Sequence, residues 1–225
     1  MQRMADVVIF DLDGTLIDSA PEIHAAVNSV LAHYNLGSLT PDQVRSFVGN
    51  GAQVLIAKCL AAVDAPDFTP LHKVIYDDFI RCYEVSFTLT TLYSGVIEML
   101  DMLAKRGHPM GICTNKPEGA TRAILQHFGL HFAVIIGGDT LPQRKPDPTP
   151  LHTAHAMLGG GPVIFVGDSE VDAATAQAAA LPFALFTGGY RHTAIADIPH
   201  DLAFDDHAAF ADMIARPAPT RLAPK

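Results

Sequence analysis

Five short runs of largely β-branched apolar residues, at 6–10, 109–113, 132–136, 162–166 and 182–186, constrain the fold of this chain more than any other feature. Each has the length of a strand and is apolar nearly throughout, without alternation. Strands read this way when both faces of their sheet are covered, the usual state of parallel sheets. The segments between them carry helical periodicity. Val96, Met99, Leu100 and Leu103 stand at i, i+3, i+4 and i+7, and Gly107 is placed to end that helix. Pro117 suits the first position of the next helix and Gly129 its stop. Strand–helix alternation predicts an α/β protein with helices on both faces of a parallel sheet.

Residues 18–90 break that rhythm, with no convincing strand. Ile23, Val27, Val30, Leu31 and Tyr34 form one amphipathic stripe, opened by Ser19-Ala20-Pro21-Glu22 in the pattern of a capping box. Further helical pieces are predicted over 52–62 and 67–84. A block of this kind between the first strand and the rest of an α/β pattern reads as an inserted helical subdomain. The tail beyond 216 reads as frayed.

Composition narrows the class and the partners. Apolar residues make up 49% of the 225, enough to bury a core and to exclude disorder. Lys and Arg number 15 against 24 Asp and Glu, a formal net charge of −9. Nucleic acid and anionic membrane both ask for a positive face, so neither is an expected partner. No apolar run approaches the roughly 20 residues of a bilayer span, and the N-terminal apolar stretch is too short for a signal peptide. Cys59, Cys82 and Cys113 stand in no motif spacing and read as thiols of a reducing compartment. The expectation is a soluble cytoplasmic protein, its oligomeric state left open.

Four small motifs fall at or near strand ends, where ligands bind in open α/β sheets. Phe10-Asp11-Leu12-Asp13-Gly14-Thr15 follows the first strand. Its Asp and Gly also favour turns, but an i, i+2 spacing there can aim two carboxylates at one pocket. They then repel unless a cation or proton lies between them. Cys113-Thr114-Asn115-Lys116-Pro117 sets a hydroxyl and free N–H groups at a helix start, either a plain N-cap or a phosphate-oxygen site. Lys145, followed closely by Pro146 and Pro148, loses less entropy on ordering and can neutralise a phosphate or an aspartate. Gly167-Asp168-Ser169-Glu170-Val171-Asp172 follows another strand, and Asp172 lies one helical turn after Asp168. Four carboxylates form an oxygen-rich nest fit for a hard cation such as Mg²⁺. Together the motifs hold the parts of metal-assisted phosphoryl transfer.

In their order, these motifs resemble the four motifs of the haloacid-dehalogenase-like hydrolase superfamily, over nearly the whole chain. Phe47-Val48-Gly49-Asn50-Gly51-Ala52, Cys113-Thr-Asn-Lys116, Gly137-Gly138-Asp139-Thr140 and Lys145-Pro146-Asp147-Pro148 look most like its phosphoglycolate phosphatase branch. One departure is Ser94, where such sequences often carry proline. The resemblance implies a Rossmann-like core, residues 1–17 and 91–225, with an all-helical cap, residues 18–90, that sets specificity. It implies Mg²⁺-dependent hydrolysis of a small phosphorylated metabolite, 2-phosphoglycolate foremost. Asp11 would be the nucleophile and Asp13 the general acid and base. Thr114 and the Asn115 N–H would hold phosphoryl oxygens, and Lys145 would balance charge. Asp11, Asp168, the Asp13 carbonyl and, directly or from behind, Asp172 would hold the metal.

Within the superfamily, Asp13 speaks against a dehalogenase. A phosphonate hydrolase with a cap lysine finds only Lys58 and Lys73, neither in a distinguishing context. A sugar phosphomutase shares every core motif and stays a rival, as do other small-metabolite phosphatases. A phospho-receiver module is about half this length and lacks both the helical insert and an acid two residues after its phosphoacceptor. The Gly49-Asn50-Gly51 turn, joining two helical patterns, is expected either to read the leaving group or to serve as a plain connector.

Overall fold

A computed structural model describes residues 6–63, 69–83 and 86–214 of the chain. In order, the elements are β1 (Val7–Phe10), β2 (Ile17–Asp18), α1 (Ala20–His33), α2 (Pro41–Arg45), α3 (Ala52–Ala62), α4 (Thr69–Tyr83), β3 (Thr91–Leu92), α5 (Val96–Lys105), β4 (Met110–Cys113), α6 (Glu118–His127), β5 (Val134–Ile136), α7 (Thr149–Met157), β6 (Val163–Gly167), α8 (Glu170–Ala179), β7 (Phe183–Phe186), β8 (Leu202–Phe204) and α9 (His207–Ile214). Six strands form one parallel sheet in the order β5-β4-β1-β6-β7-β8. The chain leaves β1 towards β4 and β5, then returns to β1's other edge with β6. A crevice therefore opens outside the C-terminal ends of β1, β4 and β6, the switch point of such sheets.

Side-chain alternation along the strands sorts the core into two layers. Val8 and Phe10 face α5, α6 and α9, in a cluster with Leu103, Ile124 and Phe210. Val7 and Ile9 face α7 and α8, with Leu151, Ala154, Ala173 and Ala176. Phe10 and Phe165 are fully buried, and each contributes about 1.5–3 kcal/mol of transfer free energy. Helices α1–α4 pack around a third cluster that includes Val27, Leu31, Val44, Ile56 and Phe79. The antiparallel pair β2–β3, with Ile17 opposite Leu92, lies where the chain enters and leaves that helical block.

Five sheet strands stand where apolar runs predict them. Three features were not anticipated. β8 is a three-residue edge strand, too short to carry a pattern. β2 and β3 have two residues each. α2 is a single five-residue helix with a Thr40–Gln43 capping box. Two expectations need correction. Pro117 is the N-cap of α6 rather than its first helical residue. Ser19 is the N-cap of α1, but its side chain makes no capping bond. Its Oγ instead donates to Asp13 Oδ1 at 2.6 Å, and Glu22 accepts from Ser86 Oγ and Leu89 N, both at 2.6 Å. The expected tail beyond 216 lies outside the described residues, among which no helix is long and apolar enough to cross a membrane.

Candidate active site

Each site residue stands just past an element that fixes it. Asp11 follows β1, and its N–H donates to the Val166 carbonyl at 2.8 Å. Thr114 follows β4, with its N–H on the Ile136 carbonyl at 3.0 Å. Asp168 follows β6 and is 1% exposed. Lys145 comes from the β5–α7 loop and is 3% exposed. An ammonium buried so deeply needs partners. Its Nζ lies 2.9 Å from Asp11 Oδ1 and donates to Asp172 Oδ1 at 2.6 Å. Burial disfavours the charge, but the two carboxylates outweigh it and hold Lys145 above its ordinary value.

The carboxylates tell a different story. Burial raises Asp11 to about 6, with Lys145 opposing and Asp172 adding to the rise. Burial, then Asp172 and Asp11, push Asp168 well above the usual carboxylate range. Asp11, Asp168 and Asp172 each bring an oxygen within 4.8 Å of the others. Asp11 Oδ1 is buried, 2.9 Å from the Lys145 ammonium. The cluster sets three carboxylates around that one ammonium, and its all-oxygen donor set fits a hard divalent cation.

Asp168 is clamped as well as buried. Thr15 Oγ1 donates to Oδ1 at 2.8 Å and Tyr190 N to Oδ2 at 2.6 Å. Gly14 and Gly189 close on the same carboxylate, and a Cβ at either would overlap it. Asp172 is fully buried, and its oxygens are taken. Oδ1 accepts from Lys145, while Oδ2 accepts from Asp168 N at 3.2 Å, Ser169 N at 3.1 Å and Ser169 Oγ at 2.6 Å. Ser169 is the N-cap of α8, in a capping box with Asp172.

Two cavities meet at this crevice. One, of about 40 Å³, is lined by Asp11, Asp13, Thr114, Asn115, Gly49 and Gly51 among others. The other, of about 80 Å³, is lined by Asp11, Asp13, Asn50, Lys58, Asp168 and Tyr190 among others. The Gly49-Asn50-Gly51 turn is therefore brought against the two aspartates. Asn115 takes a part that the sequence did not suggest: its Nδ2 donates to the Gly49 carbonyl at 3.1 Å and the Lys145 carbonyl at 2.9 Å. It ties the turn of the helical block to the lysine loop. Lys116 and Tyr83 were not anticipated either. The Lys116 ammonium lies 3.1 Å from Asp13 Oδ1 and also donates to the Tyr83 hydroxyl. Burial pushes Lys116 down from its ordinary value, with Asp13 opposing.

This fold and site define a hydrolase of the phosphoryl-transfer kind, and comparison with known proteins gives its family. The profile of the haloacid dehalogenase-like hydrolases matches residues 8–186, and the chain belongs to that family. A phosphoglycolate phosphatase of Cereibacter sphaeroides is 49% identical over 213 residues, 93% of this chain and 97% of its own. Phosphoglycolate phosphatase 1 of Pseudomonas aeruginosa is 41% identical over 196 residues, 84% of this chain and 72% of its own. A crystal structure of a predicted phosphoglycolate phosphatase from Haemophilus somnus superposes with a TM-score of 0.87 at 30% identity, covering 95% of this chain and 99% of that one. The chain is an enzyme, a phosphoric monoester hydrolase.

Proposed function

We propose that this enzyme hydrolyses a small phosphate monoester, 2-phosphoglycolate foremost, through a phosphoryl group carried on Asp11. The observation that carries the reading is the convergence of Asp11, Asp13, Thr114 and Lys116 on one cavity. The relatives named phosphoglycolate phosphatase support a phosphatase and this substrate.

In the proposed reaction, Thr114 Oγ1 and the Asn115 N–H hold phosphoryl oxygens in front of Asp11. A carboxylate oxygen of Asp11 forms the new bond to phosphorus as the ester P–O bond breaks. Asp13 gives its proton to the departing alkoxide, then takes one from water. That water forms a bond to phosphorus, the bond to Asp11 breaks, and inorganic phosphate leaves. Asp11, Asp168 and the Asp13 carbonyl would hold Mg²⁺, which when bound offsets the charge that keeps a phosphate dianion from a carboxylate. Asp172, whose Oδ1 accepts from Lys145, would stand behind them and anchor that lysine. We place residues 18–90 as the cap that reads the leaving group, and the protein in the cytoplasm.

A phosphate-release screen with Mg²⁺ over small phosphometabolites tests the reading. Phosphoglycolate should give the highest kcat/KM; preference for β-glucose 1-phosphate, or its isomerisation, would overturn the substrate assignment. Asp13→Asn should lose about 10²–10⁴ in kcat with phosphoglycolate. The loss should be smaller with p-nitrophenyl phosphate, whose leaving group needs little protonation. Equal losses would remove Asp13 from the acid role. Asn50→Ala should lower kcat/KM for phosphoglycolate by roughly 10-fold, the worth of one charge-assisted hydrogen bond, and for the aryl ester by less. Equal effects would leave the turn a connector.

A further inference from the structure

Lys116 is a buried cation that this mechanism does not use. Its side chain is 4% exposed, and lysine is almost never so buried unless paired. Two partners are in place. Asp13 presents both oxygens, at 3.1 and 3.4 Å, and Tyr83 from α4 offers its hydroxyl. An ammonium has three donors. Among the described residues, Lys116 is the one Lys or Arg lining the 40 Å³ cavity, where Ile23, Leu55 and Phe79 supply apolar wall. Lys145 is committed to Asp11 and Asp172, and Lys58 lines the other cavity.

We propose that Lys116 is the receptor for a carboxylate on the leaving group, so that the site selects esters whose ester-bearing carbon also carries a carboxylate. This deepens the reading of Asp13 as the acid and rests on it. A group that protonates the leaving oxygen must lie within hydrogen-bond reach of it. Across two carbons, a carboxylate oxygen lies about 3 Å from that ester oxygen. The span matches the 3.1 Å between Asp13 Oδ1 and Lys116 Nζ. One end of a 2-phospho-hydroxyacid thus meets Asp13 while its carboxylate meets Lys116. Tyr83, held in a 5.2 Å stack on Phe79, comes from the helical block, and the Lys116 ammonium lies over its ring, 3.8 Å from the centroid. Specificity is then assembled only when α4 is docked over the crevice.

The test compares phosphoglycolate with phosphoglycolamide, equal in size but without the charge. The unmodified enzyme should prefer the acid by about 10²-fold in kcat/KM, the scale of one desolvated charge pair. A preference below threefold, with robust turnover of both, would overturn the proposal while leaving the phosphatase reading intact. No turnover of any ester would instead fail that reading. Lys116→Met should collapse the acid-to-amide preference towards unity; loss of both activities in equal proportion would make Lys116 a mere prop for Asp13 and overturn the proposal. Should the Met variant not fold, Lys116→Arg decides. It keeps the charge and should keep the preference within about threefold of the unmodified enzyme while losing rate; a vanished preference overturns the assignment.

Discussion

Asp11→Asn should reduce phosphate release from phosphoglycolate by on the order of 10⁴–10⁶ in kcat and leave no acyl phosphate on the quenched protein. The substitution is nearly isosteric, but an amide oxygen is a far weaker nucleophile than a carboxylate. A fold defect should not confuse the result. Burial raises the Asp11 carboxyl to about 6 in spite of Lys145 beside it. Its charged form at neutral pH therefore costs the metal-free fold stability, since the same group ionises freely near 3.8 in the unfolded chain. Neutral Asn removes that cost, so the metal-free variant should melt no lower than the unmodified protein at pH 7.5. Near-native turnover by a well-folded Asp11→Asn would mean that the nucleophile lies elsewhere.

The sheet was legible because burial on both faces leaves a dense signature. The runs around Val8, Ile112 and Phe165 can satisfy their surroundings in few other ways. The gathering of the candidate site was legible for a related reason: Asp11, Asp13, Thr114, Lys145 and Asp168 each directly follow a strand or sit in a short marked loop, so position and residue type agree. What escaped the sequence depends on contacts across the chain. Ser19 and Glu22 have the spacing of a capping box, yet Ser19 serves Asp13 and Glu22 holds Ser86 and Leu89. A local motif here loses to partners as far as 67 residues away. Thr40-Pro41-Asp42-Gln43 carried the same signal and does form the box; it escaped because the helix it opens is one turn long. Lys116 was visible within its motif but had no visible role, because the groups that bury it, Asp13 and Tyr83, are 103 and 33 residues distant. Asn115 likewise reads as a phosphate ligand by its N–H, whereas its side-chain bridge from Gly49 to Lys145 exists only once three loops converge.

Removing divalent cations should abolish turnover, by about 10³-fold or more, given that such a cation supplies several kcal/mol of charge stabilisation in phosphoryl transfer. Mg²⁺ should restore it, and Ca²⁺, with its looser and higher coordination, should inhibit. Full activity after exhaustive chelation would sink the assignment. Stability gives an independent reading. At 100 times its Kd, a ligand specific to the folded state adds about 2.7 kcal/mol, or roughly 5–10 °C in Tm for a chain of this size. The pH dependence of that increment has a definite sign. Asp11 and Asp168 are both raised by burial. A carboxyl raised above its unfolded value favours the fold most below about 3.8, and that contribution is lost as pH rises through the folded value, about 6 for Asp11. Metal-free protein should therefore lose stability across this window. Cation binding needs the deprotonated carboxylates, so its increment should grow over the same window. The gap in Tm between Mg²⁺-loaded and chelated protein should widen from pH 4 to 7. In Asp168→Asn, which keeps the shape of the Thr15 and Tyr190 clamp but removes the charge, the gap should nearly close at every pH. A gap that stayed wide in that variant would place the cation away from Asp168, and one that narrowed with rising pH would mean that the buried carboxylates do not hold it.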